Sequence, residues 1–207
     1  PLNTPGTSSS EMERPTGPKA AIANSPRGRV HANFGQLDGN RQSSGGLLVA
    51  RVIGLHVKSK EAGGLRLPKL PVDSARVTAD GMDGDYNRHR HEQDSDNPDR
   101  ALLIFPVETM RDLNDEGWPV NPGDLGENVT TEGMVNADFD VGVRLRIGEV
   151  VAEVAENDMP CRILGQLPYV GEDKQAEFIK TLVGRRGWYA RVVEEGVVAV
   201  GDGVAVE

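Results

Sequence analysis

The residues with the clearest chemical capacity are a lone cysteine and the segments around it. Cys161 is the single cysteine of a 207-residue chain, and it stands in Met159-Pro160-Cys161-Arg162. Upstream lies Pro122-Gly123-Asp124-Leu125-Gly126-Glu127-Asn128. One thiol makes neither an internal disulfide nor a cysteine-built zinc cage. It stays inert as a small buried hydrophobe, attacks an electrophile, carries a sulfur atom, or ligates one soft metal. Arg162 would set a cation beside the sulfur, and Pro160 restricts the backbone ahead of it. Gly123 and Gly126 let the backbone approach a ligand closely, and successive amides in such a turn form an anion-binding concavity. A tight connection without a ligand satisfies the same spacing. Asn128 in turn would serve equally as a cap on its own backbone.

A further cluster runs from Gly84-Asp85 through Arg88, His89, His91 and Glu92 to Asp99-Arg100. Two histidines one residue apart on a strand share a face, and with Asp85 or Glu92 they could clamp zinc or copper. A solvated loop accounts for them as well. Arg162, Arg185 and Arg186 carry planar guanidinium groups suited to oxyanions, although the last two also follow a helix end, where cations favour the dipole. Arg144 and Arg146 alternate on a strand and read as a solvated face. Trp188 and Tyr189 read as packing.

These residues are carried by a β-rich chain. Leu47–Val57 is a long β-prone run, and Val72–Val77 a shorter one. Ala101–Phe105 is fully apolar, as a strand buried on both faces requires. Pro106–Glu116 reads as a helix opened by proline, with Val107, Met110 and Leu113 on one face and Gly117 beyond its end. From Val141 the pattern is strand, turn at Gly148-Glu149, strand. Residues 172–183 suggest a short helix ended by Gly184, and Trp188–Val193 and Val197–Val206 supply the last strands. Short strands, 25 glycines and few helices predict a mainly β fold, a closed or nearly closed β-barrel. Residues 1–46 are rich in Pro, Gly, Ser and Asn, with Phe34 the only aromatic, and predict a flexible, disordered low-complexity tail ahead of a 47–207 domain.

Composition narrows the partners. The formal charge is −9, which argues against a nucleic-acid duplex as partner but leaves room for a local basic pocket. No apolar run approaches the roughly 18–20 residues that span a bilayer, so no membrane association is expected. The first residues lack the sections of a secretion signal, and with one cysteine a reducing cytoplasm is the expected location.

Several segments together resemble one family. Pro122-Gly123-Asp124-Leu125-Gly126-Glu127-Asn128-Val129-Thr130-Thr131-Glu132-Gly133 is similar to the glycine-rich signature of MOSC domains, found at the C-terminus of molybdenum-cofactor sulfurases and as stand-alone bacterial proteins. Val143–Glu149 follows at the family's distance, and Pro160-Cys161 matches its cysteine motif. Gly184–Val192 and Val200–Val204 resemble its C-terminal end, so the resemblance covers residues 47–207. Two departures stand out. His91-Glu92-Gln93 replaces the family's His-Gly-Gly, and Glu156-Asn157-Asp158-Met159 places two carboxylates ahead of Pro160-Cys161.

The resemblance implies a β-barrel that handles the molybdenum–pterin cofactor (molybdopterin) or its sulfur. Carried over residue by residue, Cys161 becomes the metal ligand and catalytic centre. Gly126, Glu127 and Asn128 shape the pterin pocket, and Arg88, His89, His91 and Asp99 handle anions or protons. Arg162 and Arg185 become phosphate partners. The implied activity is reduction of a small N-hydroxylated substrate, with electrons from a flavin or iron–sulfur reductase. One alternative is a sulfur (persulfide) or cofactor carrier served by a cysteine desulfurase. Another is an interaction module without catalysis.

Overall fold

The computed structural model describes residues 50–58 and 67–207. The expected tail at 1–46, and the boundary at 47, lie outside the described residues. The long first run gives β1 (Arg51–Val57), followed by β2 (Leu70–Val72), β3 (Ser74–Thr78) and β4 (Gly81–Met82). A short helix α1 (Arg88–Gln93) and a 3-10 turn at Pro98–Arg100 precede β5 (Leu102–Pro106). Then come α2 (Val107–Asp115), β6 (Val129–Glu132), β7 (Arg144–Ile147), β8 (Val150–Asn157), a 3-10 turn at Arg162–Gln166 and α3 (Gln175–Leu182). The chain ends with β9 (Trp188–Glu194), β10 (Gly196–Ala199) and β11 (Val204–Val206).

Eight strands form one mixed sheet in the order β11-β7-β8-β9-β5-β6-β1-β2, and β10-β3-β4 form a second sheet. Within the large sheet only β5 and β6 run parallel. That pair requires a crossover, which α2 and the glycine segment provide. The closed barrel expected from the sequence is not found: the sheet is an open ladder ending at β11 and β2. The start of β1 meets the chain end through the isolated bridge of Arg51 to Gly203 and backbone hydrogen bonds of Ala50 and Val52 to residues 201–204, but not through a ladder. The short β11 and the turn residues Gly201-Asp202-Gly203 leave too few paired residues there to close it.

Two cores hold the sheet. One gathers Val52, Leu55, Val77, Ile104, Leu145, Ile147, Val154 and Val198, drawn from both sheets. The other lies under the helices, where Phe105, Met110, Leu113, Trp118, Phe178 and Leu182 pack together. β5 explains why its sequence is apolar throughout: Leu102 and Ile104 enter the first core and Phe105 the second. Each such side chain contributes about 1.5–3 kcal/mol by leaving water. The second core fixes α2, and α2 fixes where the glycine segment re-enters the sheet.

Candidate functional site

Three stretches of chain converge on one cleft of about 660 Å³. The first follows from strand register. Val57 pairs with Leu70 across β1 and β2, so the residues just beyond them, Lys58 and Lys69, meet at one end of the ladder. Both line the cleft. Asp85 ties this wall together, accepting from the Lys58 backbone N–H at 2.8 Å, Lys69 Nζ at 2.8 Å and Asn128 Nδ2 at 3.0 Å. The Lys69 and Asp85 side chains are each 6% exposed, so this ion pair is buried. Burial, and then the Lys69 charge, hold the Lys58 ammonium below its ordinary pKa. A bound anion would relieve that crowding of cations.

The glycine segment forms the second wall. Gly123 and Gly126 adopt φ of +92° and +85°, which side chains rarely tolerate. A Cβ on Gly123 would stand 2.8 Å from the Lys69 carbonyl oxygen, so the loop and the lysine wall touch backbone to backbone. Glu127 is fully buried beneath the loop, accepting from the Gly123 N–H and from Thr130 Oγ1. Burial pushes its carboxyl pKa up, against those hydrogen bonds and the Lys69 charge. Asn128 pins neighbouring strands: Oδ1 accepts from the Leu103 N–H at 3.1 Å, while Nδ2 reaches the His56 carbonyl at 3.3 Å. His56 itself is 4% exposed behind Gly123, and burial followed by the Lys69 charge lowers its pKa to about 4.

The third wall begins where β8 ends. Cys161 is exposed and immediately precedes the 3-10 turn. Arg186, only 7% exposed, donates from Nη1 to the Met159 carbonyl at 2.9 Å and from Nη2 to the Leu125 carbonyl at 3.3 Å. Its Nη1 also lies 3.0 Å from Asp158 Oδ2, an ion pair without aligned hydrogen-bond geometry, and 3.9 Å from Cys161 Sγ. Burial pushes the Asp158 carboxyl up to about 6, with the Arg186 charge opposing. Arg100 pairs with Glu156 and, at 3.2 Å, with Asp94, and it sits 5.4 Å over the Tyr189 ring. The two carboxylates ahead of Cys161 are therefore each faced by an arginine. Six cationic side chains (Lys58, Lys69, Arg88, Arg100, Arg162 and Arg186) line the cleft against two carboxylates, Glu156 and Asp158. It is a basic site in a chain of net charge −9.

Of the residues singled out in the sequence, Cys161, Arg88, His89, Gly126, Asn128 and Arg162 line this cleft. Glu127 supports it from beneath. Three stand away from it. Asp99 pairs with Arg191 at 3.1 Å and Arg185 with Glu116 at 2.9 Å, and neither lines the cleft. His91 does not line it either, because 88–93 is helical and not a strand. Two residues apart on a helix differ by roughly 200° in direction. His89 therefore faces the cleft, its Nδ1 3.4 Å from Arg100 Nη1, while His91 stacks on Tyr86 and meets Asp96 at 2.5 Å. The same geometry removes the two-histidine metal clamp, and among the described residues no group of three or more His, Cys, Asp or Glu is placed to hold a metal ion. The lysines at 58 and 69 were missed. No local pattern marks them, and only the β1–β2 register brings them together.

The model of the MOSC domain matches residues 86–205, more than half of the chain. The chain belongs to the MOSC domain family. The uncharacterized protein YflK of Bacillus subtilis (strain 168) is 30% identical over 105 residues, covering 50% of this chain and 46% of its own. Protein YiiM of Escherichia coli (strain K12) is 25% identical over 138 residues, covering 64% of this chain and 59% of its own. The chain thus spans about half the length of the curated relatives it matches. Among solved structures, the YUAD protein from Bacillus subtilis superposes with a TM-score of 0.62 at 19% identity, over 76% of this chain and 94% of that one. YiiM from Geobacillus stearothermophilus gives 0.58 at 22% identity, over 76% and 75%. These likenesses show the fold. No helix among the described residues is long and apolar enough to cross a membrane.

Proposed function

We propose that the cleft holds a molybdenum–pterin cofactor with Cys161 as its thiolate ligand, and that the protein reduces N-hydroxylated compounds in the cytoplasm. The observation that carries this reading is the meeting of one exposed thiol with six cationic side chains in a single cleft. A thiolate is a soft donor suited to molybdenum, and a phosphate-bearing pterin is an anion that such a lining attracts. The two carboxylates that would oppose it are held by Arg100 and Arg186. The close approach at Gly126, where a Cβ would come within 3.2 Å of Leu67, leaves backbone in place of a side chain at the lining.

In this reading Lys58, Arg88 and Arg162 bind the anionic groups, and the buried Lys69–Asp85 pair holds the wall that carries Lys58. Gly126 and Asn128 shape the pterin contact. His89, beside Arg100, is the cleft's imidazole and the natural carrier of a proton to a leaving oxygen. Tyr189 also lines the cleft, and burial raises its phenol pKa, so it acts as a neutral hydrogen-bond donor. When bound, the cofactor would supply two-electron reduction: the N–O bond breaks, two electrons arrive from a flavin or iron–sulfur reductase, two protons are taken up and water leaves. The test is turnover of an N-hydroxylated base with such a reductase, abolished by Cys161→Ala; unchanged turnover in that variant would sink the reading.

A sulfur-carrier role has one observation in its favour, the exposure of Cys161 beside Met159, itself 65% exposed, where another protein can reach the sulfur. A gain of one sulfur in the mass of the chain after treatment with a cysteine desulfurase, absent in Cys161→Ala, would favour it over the redox reading.

A further inference from the structure

The buried guanidinium of Arg186 serves two separate loops at once. Nη2 holds the Leu125 carbonyl of the glycine segment at 3.3 Å, and Nη1 holds the Met159 carbonyl of the cysteine segment at 2.9 Å. The neighbouring backbone reinforces the second attachment. The Asp158 N–H donates to the Gly187 carbonyl at 2.9 Å, and Asn157 Nδ2 donates to the same oxygen at 3.0 Å. With these bonds made, Arg186 Nε stays buried without a protein partner, on a residue that lines the cleft. The charged group thus stands 3.9 Å from Cys161 Sγ with donor capacity left over.

We infer that Arg186 is the positioning residue of this site: its fork fixes the glycine loop and the cysteine loop relative to one another, and its charge makes the Cys161 sulfur selective for anionic reagents. The inference deepens the cofactor reading, since a ligand bridging both loops needs them held in register, and it is testable without the cofactor. The geometry separates two contributions. Lysine at 186 keeps the charge but cannot hold two carbonyls in fork geometry, whereas glutamine loses the charge. Arg185 supplies a control of equal charge, because it pairs with Glu116 and does not line the cleft.

The experiment uses this 207-residue chain without cofactor, as wild type, R186K, R186Q and R185Q. Rates of Cys161 alkylation by anionic iodoacetate and by neutral iodoacetamide are measured at one pH, together with amide hydrogen exchange over 122–128 and 158–164. The iodoacetate-to-iodoacetamide ratio should fall roughly five-fold in R186Q, given partial screening of a charge so close to the sulfur. In R186K the ratio should stay within about two-fold of wild type, while exchange rises in both loops together. R185Q should change neither. An unchanged ratio in R186Q overturns the charge assignment, and exchange rising in only one loop of R186K overturns the positioning role. Should R186Q fail to fold, the wild-type ratio against the same chain in urea decides the first point: no excess in the folded protein overturns it. Loss of molybdenum binding in wild type would leave all of these readouts intact, so the two readings fail separately.

Discussion

The lysine wall and the cysteine wall of the cleft solve the same electrostatic problem in different ways. On the lysine wall, Lys69 and Asp85 are both 6% exposed, and one carboxylate serves Lys69, the Lys58 amide and Asn128. On the cysteine wall the thiol is exposed, Arg100 is about one quarter exposed, and the carboxylates at 156 and 158 face separate arginines. The Lys69–Asp85 and Arg186–Asp158 pairs are about equally buried, and the walls differ in that the cysteine wall adds a rim, the exposed thiol and Arg100, that a ligand or partner can reach. Damage to the Lys69–Asp85 pair should therefore appear first as lost stability, and damage to the rim thiol as lost binding alone.

The largest effect expected is on the lysine wall. Asp85→Ala leaves the Lys69 ammonium buried without its counter-charge, and breaking such a pair costs about 3–5 kcal/mol. Urea unfolding measures it, and a loss below about 1 kcal/mol would mean that the wall is wetter than described here.

Two buried groups behind the cleft, His56 behind the glycine loop and Asp158 on the cysteine wall, titrate in opposite directions. His56, with its pKa lowered from 6.5 to about 4, is neutral in the native state, so its contribution is present above pH 6.5 and is lost as pH falls towards 4. Asp158, raised from 3.8 to about 6, keeps its proton in the native state up to about pH 6, so its contribution is present below about pH 4 and is lost as pH rises through 6. Each gap corresponds to roughly 3 kcal/mol at most. Over the shared window they offset one another. His56→Gln should unmask a stability that falls as pH rises from 4 to 6, and Asp158→Asn one that rises; parallel curves for the two variants would contradict the assignment.

A smaller effect separates the loops. Gly123→Ala places a Cβ 2.8 Å from the Lys69 carbonyl at a φ of +92°, at a cost of about 1–3 kcal/mol. Its companion is the smallest: Cys161→Ser, at an exposed position, should alter stability by about 0.5 kcal/mol or less. A thermal melt of both variants checks the contrast, and equal losses would erase it.

What could be read from the chain follows the range of the interactions involved. The glycine segment and the cysteine motif are local patterns, and both stand at the cleft. The apolar run Ala101–Phe105 and the helical period of Pro106–Glu116 are likewise local, and they form β5 (Leu102–Pro106) and α2 (Val107–Asp115), with ends that each differ by one residue. The lysine wall was not legible, because Lys58 and Lys69 are joined by the pairing of Val57 with Leu70 and by a carboxylate from a third segment. The expected strand Val72–Val77 is in fact two, β2 and β3, divided at Asp73, and that division decides the register. His89 and His91 were assigned a shared face through a strand period where the chain is helical. The sheet's open ends were not legible: the turn expected at Gly201-Asp202-Gly203 does divide Val197–Val206, but nothing local shows that β10 and β11, on either side of it, enter different sheets.

The measurement that bears most directly on the central claim is molybdenum per chain, by elemental mass spectrometry, on wild type and Cys161→Ser from a host that makes the cofactor. Near-stoichiometric metal is expected in wild type, and its loss in a variant whose fold is intact. Equal metal in both, or none in wild type from such a host, would contradict that claim.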